Sequence, residues 1–432
     1  MDSGPRAEDL APAATSPAAP RVRVGEVVRV ECVEIGHRGV GVGRLSGLVV
    51  FLFGALPGEE VSARVTKIHR RHAFADTIEV HRASPERVAP PCPYFGICGG
   101  CQLQHLSYKF QLQSKRAVLE RTLSREEVDL PAEVEVVGSS QEWRYRWRGE
   151  FHRVRQRPEL GFKARSSYQV VGVSDCLIHH PSITGTLAAI AEAAQGAGPR
   201  VQTIQMTVGD GGRQLLVDTR PDRSASADLA ADASARCTEP VVITDEATSI
   251  NYRGREFRVF PDSFIQVNQA SLESLYESVV ELIGPEISGR HVVDAYGGIG
   301  ILSLRLADAG ATVTVIEANP VAARLCQLHA EMYAPTQVKV VCGPVEHEIS
   351  LAASAAAVVL DPPRAGLAPE VRGWLGRAGP PTLAYLSCEV SALARDLKAL
   401  CRLGPYRLTH LRLVDMFPQT YHFETIALLR RR

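Results

Sequence analysis

Two residues far apart in the chain could share one reaction. Cys388, in Ser387-Cys388-Glu389, stands where an apolar run ends and a helix is expected to begin near Ser391. A thiol at that place feels the positive end of the helix dipole, which predicts a lowered pKa and a thiolate nucleophile. Glu424, in His422-Phe423-Glu424-Thr425, opens an otherwise apolar strand. A carboxylate there is costly unless it is paired or functional. Asp361-Pro362-Pro363-Arg364-Ala365-Gly366 closes another apolar run, and its prolines impose a rigid non-helical loop that fixes the directions of Asp361 and Arg364. Cys32, Cys237, Cys326, Cys342 and Cys401 have no such context and read as buried, inert thiols.

A second group of residues suits a nucleoside cofactor. Asp294-Ala295-Tyr296-Gly297-Gly298-Ile299-Gly300 follows an apolar strand and leads into a helix, and its glycines let backbone approach a ligand where a β-carbon would clash. Seventeen residues after Gly300, Glu317 ends the next strand, where a carboxylate can accept from both ribose hydroxyls. There is no G-x-G-x-x-G, and Asp294 would repel a pyrophosphate while suiting the cationic methionine end of adenosylmethionine. The pattern favours a methyltransferase over a dehydrogenase.

The third group is a cysteine cluster. Cys92, Cys98 and Cys101 form C-x5-C-x2-C, with Cys176 in Ser174-Asp175-Cys176-Leu177 as the expected fourth ligand. No basic-then-apolar secretory signal opens the chain and no stretch nears the roughly 18 apolar residues of a membrane span, so a cytoplasmic, reducing setting is expected. There, clustered thiols point to a metal rather than to disulfides. Spacing alone leaves structural zinc and an iron–sulfur cluster both open, and it matches no standard ferredoxin run.

Formal net charge is zero, so any nucleic-acid contact must come from local patches. Lys67-Ile68-His69-Arg70-Arg71-His72 is one such run. Trp143-Arg144-Tyr145-Arg146-Trp147-Arg148 is another: read as a strand, it puts the aromatics on one face and the arginines on the other. Each run serves equally as a solvated structural face.

These residues need elements to place them. With 432 residues, 45% hydrophobic and 22% charged, the chain can build two or three cores. Residues 1–20 read as a disordered leader. Residues 21–84 carry short β-branched runs punctuated by glycine, which predict a small all-β barrel. Residues 85–258 hold the cysteine segment, a helix over 107–124 and a strand-rich stretch from 133 to 252, with 221–235 expected as a surface loop. Residues 259–432 alternate apolar strands with helix-length segments, the signature of a parallel α/β sheet. Its last two strands, YRLTHLRLVDMF and HFETIALLRR, lack an intervening helix and are expected to pair antiparallel.

The motifs DAYGGIG, Phe264-Ile265-Gln266-Val267-Asn268, DPPRAG, Ser387-Cys388, ARDL at 394–397 and DMFPQT followed by HFET resemble the RNA 5-methyluridine methyltransferase family over the last 170 or so residues. The N-terminal barrel is similar to the RNA-binding TRAM domain. The resemblance implies a Rossmann-like class I methyltransferase domain preceded by an OB-like TRAM barrel and a central iron–sulfur domain. It implies Cys388 as nucleophile, Glu424 as general base, and Gln266, Tyr296, Glu317 and Asp361 at the S-adenosylmethionine site. It further implies a [4Fe-4S] cluster on Cys92, Cys98, Cys101 and Cys176, and an RNA substrate: 23S rRNA first, tRNA as runner-up, with no membrane and no obligate protein partner. The sequence departs from the family at Gly297 (commonly Cys), Ile301 (often Asn or Thr), Pro344 (usually an acid) and Glu389-Val390 (for Asn-Pro).

Overall fold

A computed structural model describes residues 22–432; the expected leader, 1–20, lies outside the described residues. The contacts divide the described residues into two units: one holds residues 22–36 and Val40–Arg87, the other His37–Gly39 and everything from Val88 on.

In the first unit, β1 (Val27–Ile35), β2 (Gly41–Leu45), β3 (Leu48–Phe53), β4 (Glu60–Ile68) and β5 (His72–Arg82) close a barrel in the order β1-β2-β3-β5-β4. Alternate residues, among them Val28, Val30, Val50, Leu52, Val61, Ala63 and Val65, fill it. β2 needs glycine: a β-carbon on Gly41 would lie 2.7 Å from the Cys32 sulfur and 2.8 Å from the Ala55 carbonyl. Glu59, fully buried, accepts from Arg87 at 2.6 and 2.7 Å and from the Leu56 and Ser84 amides.

The second unit starts with the cysteine segment and α1 (Tyr108–Arg125), then β6 (Val134–Val137). A six-stranded sheet follows, built from β7 (Arg148–Arg153), β8 (Leu160–Lys163), β9 (Val170–Gly172), β10 (Val201–Gly209), β11 (Gln214–Pro221) and β12 (Val242–Thr244). With it come α2 (Pro181–Thr184), α3 (Leu187–Gly196) and α4 (Ala225–Arg236). The loop expected over 221–235 is thus mostly α4. Its composition is turn-like, but alanine is the best helix former, and Ala225, Leu229, Ala230 and Ala233 bury one stripe in the central core.

The hairpin β13 (Thr248–Tyr252) and β14 (Arg255–Val259) leads to α5 (Gln269–Ile283). The main sheet then alternates β15 (His291–Ala295), α6 (Ile301–Asp308), β16 (Thr312–Glu317), α7 (Pro320–Tyr333), β17 (Val338–Cys342), α8 (Val345–Glu348), β18 (Ala357–Leu360), α9 (Pro369–Ala378), β19 (Thr382–Ser387) and α10 (Val390–Leu397), ending in β20 (Tyr406–Val414) and β21 (Glu424–Arg431). Strand order is β17-β16-β15-β18-β19-β21-β20-β6. β20 and β21 pair antiparallel as expected, and β6 joins β20 in parallel, so a strand from far upstream completes the catalytic sheet. Neighbouring residues face opposite layers: Val292 and Ala384 meet α5–α7, while Val293 and Leu383 meet α1 and α8–α10. Among the described residues no helix is long and apolar enough to cross a membrane.

Candidate active site and cysteine cavity

β15, β16, β18 and β19 run parallel and end at one edge of the sheet, the edge beyond which ligands sit in open α/β sheets. β21 runs the other way and therefore starts there. Ser387 pairs with Thr425 across the antiparallel ladder. One step further along that register, Cys388 faces Glu424, and directly opposed residues have Cα atoms about 4.5–5.5 Å apart. Leu360 pairs with both Tyr385 and Ala295, which brings Asp361 and Tyr296 to the same edge.

Burial governs the electrostatics. Glu424 is 4% exposed; burial, then the neighbouring Asp361 carboxylate, pushes its pKa well above the usual carboxylate range, against the pull of Arg364. Burial raises Asp361 to about 6. Cys388 is pushed up to about 11 by burial and then by Glu424, again opposed by Arg364. The expected lowering of this thiol is therefore overturned in the free protein. The helix end that was to lower it is already capped: Glu389 accepts the Ser391 amide at 3.3 Å, bringing its own negative charge to the α10 terminus.

On the cofactor side, Tyr296 (φ 69°) and Gly298 (φ 56°) turn the chain from β15, and Gly300 (φ 89°) caps α6. Glu317 accepts the Gly298 amide at 2.9 Å and the Asn319 amide at 2.7 Å, which fixes its carboxylate beside the glycine turn. Asp294 behaves differently from expectation. It is 1% exposed, accepts from the Ser303 hydroxyl and is raised to about 7 by burial, so it serves the turn from within rather than facing a cationic ligand. Gln266 is mostly buried in a loop held by Trp147 N–H to the Val267 carbonyl (2.8 Å) and Arg148 to the Pro261 carbonyl (2.9 Å). No hydrogen bond joins Gln266 to Tyr296, Glu317 or Asp361 among the described residues. The departures also have physical places. A β-carbon on Gly297 would lie 2.3 Å from Val315 Cγ1, Ile301 is buried in the core, and Pro344 precedes α8 as its cap.

Cys92, Cys98, Cys101 and Cys176 line one cavity of about 290 Å³, whose other wall includes Arg364, Phe417, Thr420 and His422. Burial, helped by the neighbouring cluster thiols, raises Cys101 and Cys176 to about 12. His179 Nδ1 lies 3.1 Å from the Cys176 sulfur. Among the described residues no three His, Cys, Asp or Glu side chains converge as the ligands of one ion would. Sequence reasoning missed that this cavity abuts the loops before Glu424 and after β18: His422, lowered to about 4 by burial and Arg364, stands two residues from Glu424. Of the remaining cysteines, Cys32, Cys326 and Cys401 are buried as expected, but Cys342 is exposed at the end of β17.

The two basic runs part company. Residues 143–147 form no strand: Arg144 has φ 57° and only Tyr145 is fully buried. Arg144 grips Asp175 at 2.7 Å through both terminal nitrogens, Arg146 donates to the Arg148 carbonyl at 3.0 Å, and Arg148 donates to Pro261 and Ser263 carbonyls. These arginines join loops within the fold instead of presenting a charged face. The 67–72 run spans the end of β4, the exposed turn at 69–71 and the start of β5. Beside it on the outer barrel face lies an aromatic stripe, with Phe51 stacked on Phe74 at 5.1 Å and His69 on His72 at 4.6 Å.

The TRAM domain model matches residues 21–78, and the tRNA (Uracil-5-)-methyltransferase model matches 239–432. An uncharacterized RNA methyltransferase of Caldanaerobacter subterraneus is 31% identical over 95% of this chain and 99% of its own. The 23S rRNA (uracil(1939)-C(5))-methyltransferase RlmD of Dichelobacter nodosus is 32% identical over 93% of this chain and 98% of its own. Among solved structures, the Pyrococcus abyssi tRNA (uracil-54, C5)-methyltransferase in complex with S-adenosyl-L-homocysteine superposes with a TM-score of 0.72 at 24% identity, covering 93% of this chain and 100% of that one. That likeness establishes a shared fold.

Proposed function

The chain belongs to the RNA uracil-5-methyltransferase family, and on that premise we propose that it methylates carbon 5 of a uridine in 23S ribosomal RNA through a covalent Cys388 adduct. The observation that supports this reading is the strand register, which pairs Ser387 with Thr425 and so carries the adjoining Cys388 and Glu424 to one edge of the sheet.

Carbon 5 of uracil lacks the electron density to take a methyl group unaided. The Cys388 thiolate adds to carbon 6, and the displaced electron pair moves through carbon 5 toward the carbonyl oxygen at carbon 4 as an enolate. S-Adenosylmethionine, when bound, would supply the electrophilic methyl group for carbon 5, the electron pair of the broken S–CH3 bond staying on sulfur in S-adenosylhomocysteine. Glu424, as carboxylate, accepts the carbon 5 proton; the electron pair left behind re-forms the 5,6 double bond and expels the Cys388 thiolate. Arg364 favours the ionised forms of both groups. Gln266, Tyr296, Glu317 and Asp361 would hold the donor, with Glu317 already oriented by two amides. Because the reaction uses carbons 5 and 6 of one base, the uridine must leave its stack.

We further propose that the four cysteines hold a [4Fe-4S] cluster; what supports the reading is that all four line one cavity. Methyl transfer needs no electron, so the role proposed for the cluster is structural or RNA-positioning. Anaerobically purified protein should be brown with equal iron and acid-labile sulfide, and stoichiometric zinc without sulfide would contradict this assignment. The names of the RlmD relatives support ribosomal over transfer RNA as the substrate, and a cytoplasmic site of action belongs to the same proposal. Incubation with labelled S-adenosylmethionine and unmodified 23S rRNA or tRNA transcripts should yield 5-methyluridine in the ribosomal RNA. Label confined to tRNA would overturn the substrate.

A further inference from the structure

Asp396, on α10, is fully buried and lies outside the chemistry described above. One carboxylate oxygen accepts the Leu367 amide at 2.8 Å and the Tyr385 hydroxyl at 2.7 Å. The other accepts Arg372 Nη1 at 2.9 Å and Arg395 Nε and Nη2 at 2.9 and 2.8 Å. The two arginines extend the grip to backbone, Arg395 to the Ala365 carbonyl at 2.8 Å and Arg372 to the Leu367 carbonyl at 2.6 Å. Gly366, at φ 78°, passes so close that a β-carbon would lie 2.5 Å from the Asp396 oxygen.

These bonds join two pieces of the active site. The loop after β18 carries Asp361 and Arg364, and Ala365–Leu367 are its tethered end. Tyr385 precedes Cys388 by three residues on β19, and α10 begins two residues after it. A buried ion cluster is weak evidence for stability, since apolar side chains of similar volume would often fill the space at no cost. What it does secure is one geometry.

We propose that Asp396 is a positioning residue: it pins the Asp361–Gly366 loop to the strand–helix turn presenting Cys388, and so fixes Arg364 and Asp361 against the nucleophile. This rests on the reading of Cys388 as the nucleophile. Asp396 touches no reacting atom, so its loss should slow chemistry and spare RNA binding. The test compares Asp396→Asn and Arg395→Ala, each in the full-length protein and each combined with Glu424→Gln to trap adduct. Expected for Asp396→Asn is single-turnover adduct formation slowed by roughly 100-fold, the scale of a misplacement of about 1 Å, with a smaller loss for Arg395→Ala. RNA dissociation constants and KM should stay within about twofold of the parent protein, because ground-state binding is unchanged. If Asp396→Asn does not fold, Arg395→Ala, whose side chain is half exposed, decides alone. Unchanged adduct rates in a folded variant, or a loss that appears only as weaker RNA binding, would overturn the proposal. A parent protein that methylates uridine with no adduct at Cys388 would instead overturn the reading beneath it.

Discussion

At the scale of single residues, burial pushes both Cys388 and Glu424 away from the ionised forms that the reaction needs. With the thiol near 11, roughly one molecule in 10⁴ carries the thiolate at neutral pH. Glu424 is raised too, and its active form is also the deprotonated one. The adduct forms on the thiolate, so its single-turnover formation should climb with pH across the neutral and mildly alkaline range. Arg364→Gln should move that rise to higher pH, because Arg364 lowers the Cys388 thiol. A flat profile over about two pH units would contradict the burial argument. Much of this was legible in the sequence, because Cys388, Glu424 and Asp361 stood at predicted strand ends. Their ionisation was not, because it depends on which carboxylates a fold brings together and on Glu389 already occupying the helix end.

At the scale of elements, the Asp415–Thr420 loop before Glu424 is a junction. Lys115 of α1, 2% exposed, donates to Asp415 at 2.7 Å and to the Phe417 carbonyl at 3.1 Å. Gln111 exchanges bonds of 2.9 Å with the side chain and the amide of Gln419, whose carbonyl accepts the Gln102 and Leu103 amides. The Tyr145 hydroxyl donates to Pro418 at 2.9 Å, and Asn268 to Met416 at 3.2 Å. Lys115→Met leaves Asp415 buried without its cation and should lower stability by about 3–5 kcal/mol, while adding Asp415→Leu should recover most of it. Urea denaturation of both variants checks this, and equal stability of single and double variants would deny the coupling. Periodicity revealed α1 and the seven downstream strands, since each buries a face of its own. It could not reveal β6 as the eighth strand, nor α4, because strand partnership and an alanine stripe are decided by tertiary contacts.

At the scale of the molecule, RNA contact is expected from the barrel, not from the 144–148 arginines that the fold consumes internally. Replacing Lys67, Arg70 and Arg71 together by Ala should weaken RNA binding and reduce the slope of log affinity against log salt by about 2. Phe74→Ala should weaken binding with little change in that slope, as loss of a stacking surface does. An unchanged slope in the triple variant, read by filter binding across a salt series, would remove the barrel from the account.

The central claim is that Cys388 attacks the uridine and Glu424 releases it. Denaturing electrophoresis of protein mixed with substrate RNA and S-adenosylmethionine tests it most directly. Glu424→Gln should accumulate an RNA–protein adduct that carries the transferred methyl group, and Cys388→Ala should give neither adduct nor 5-methyluridine. Full methylation by the Cys388→Ala protein would contradict it.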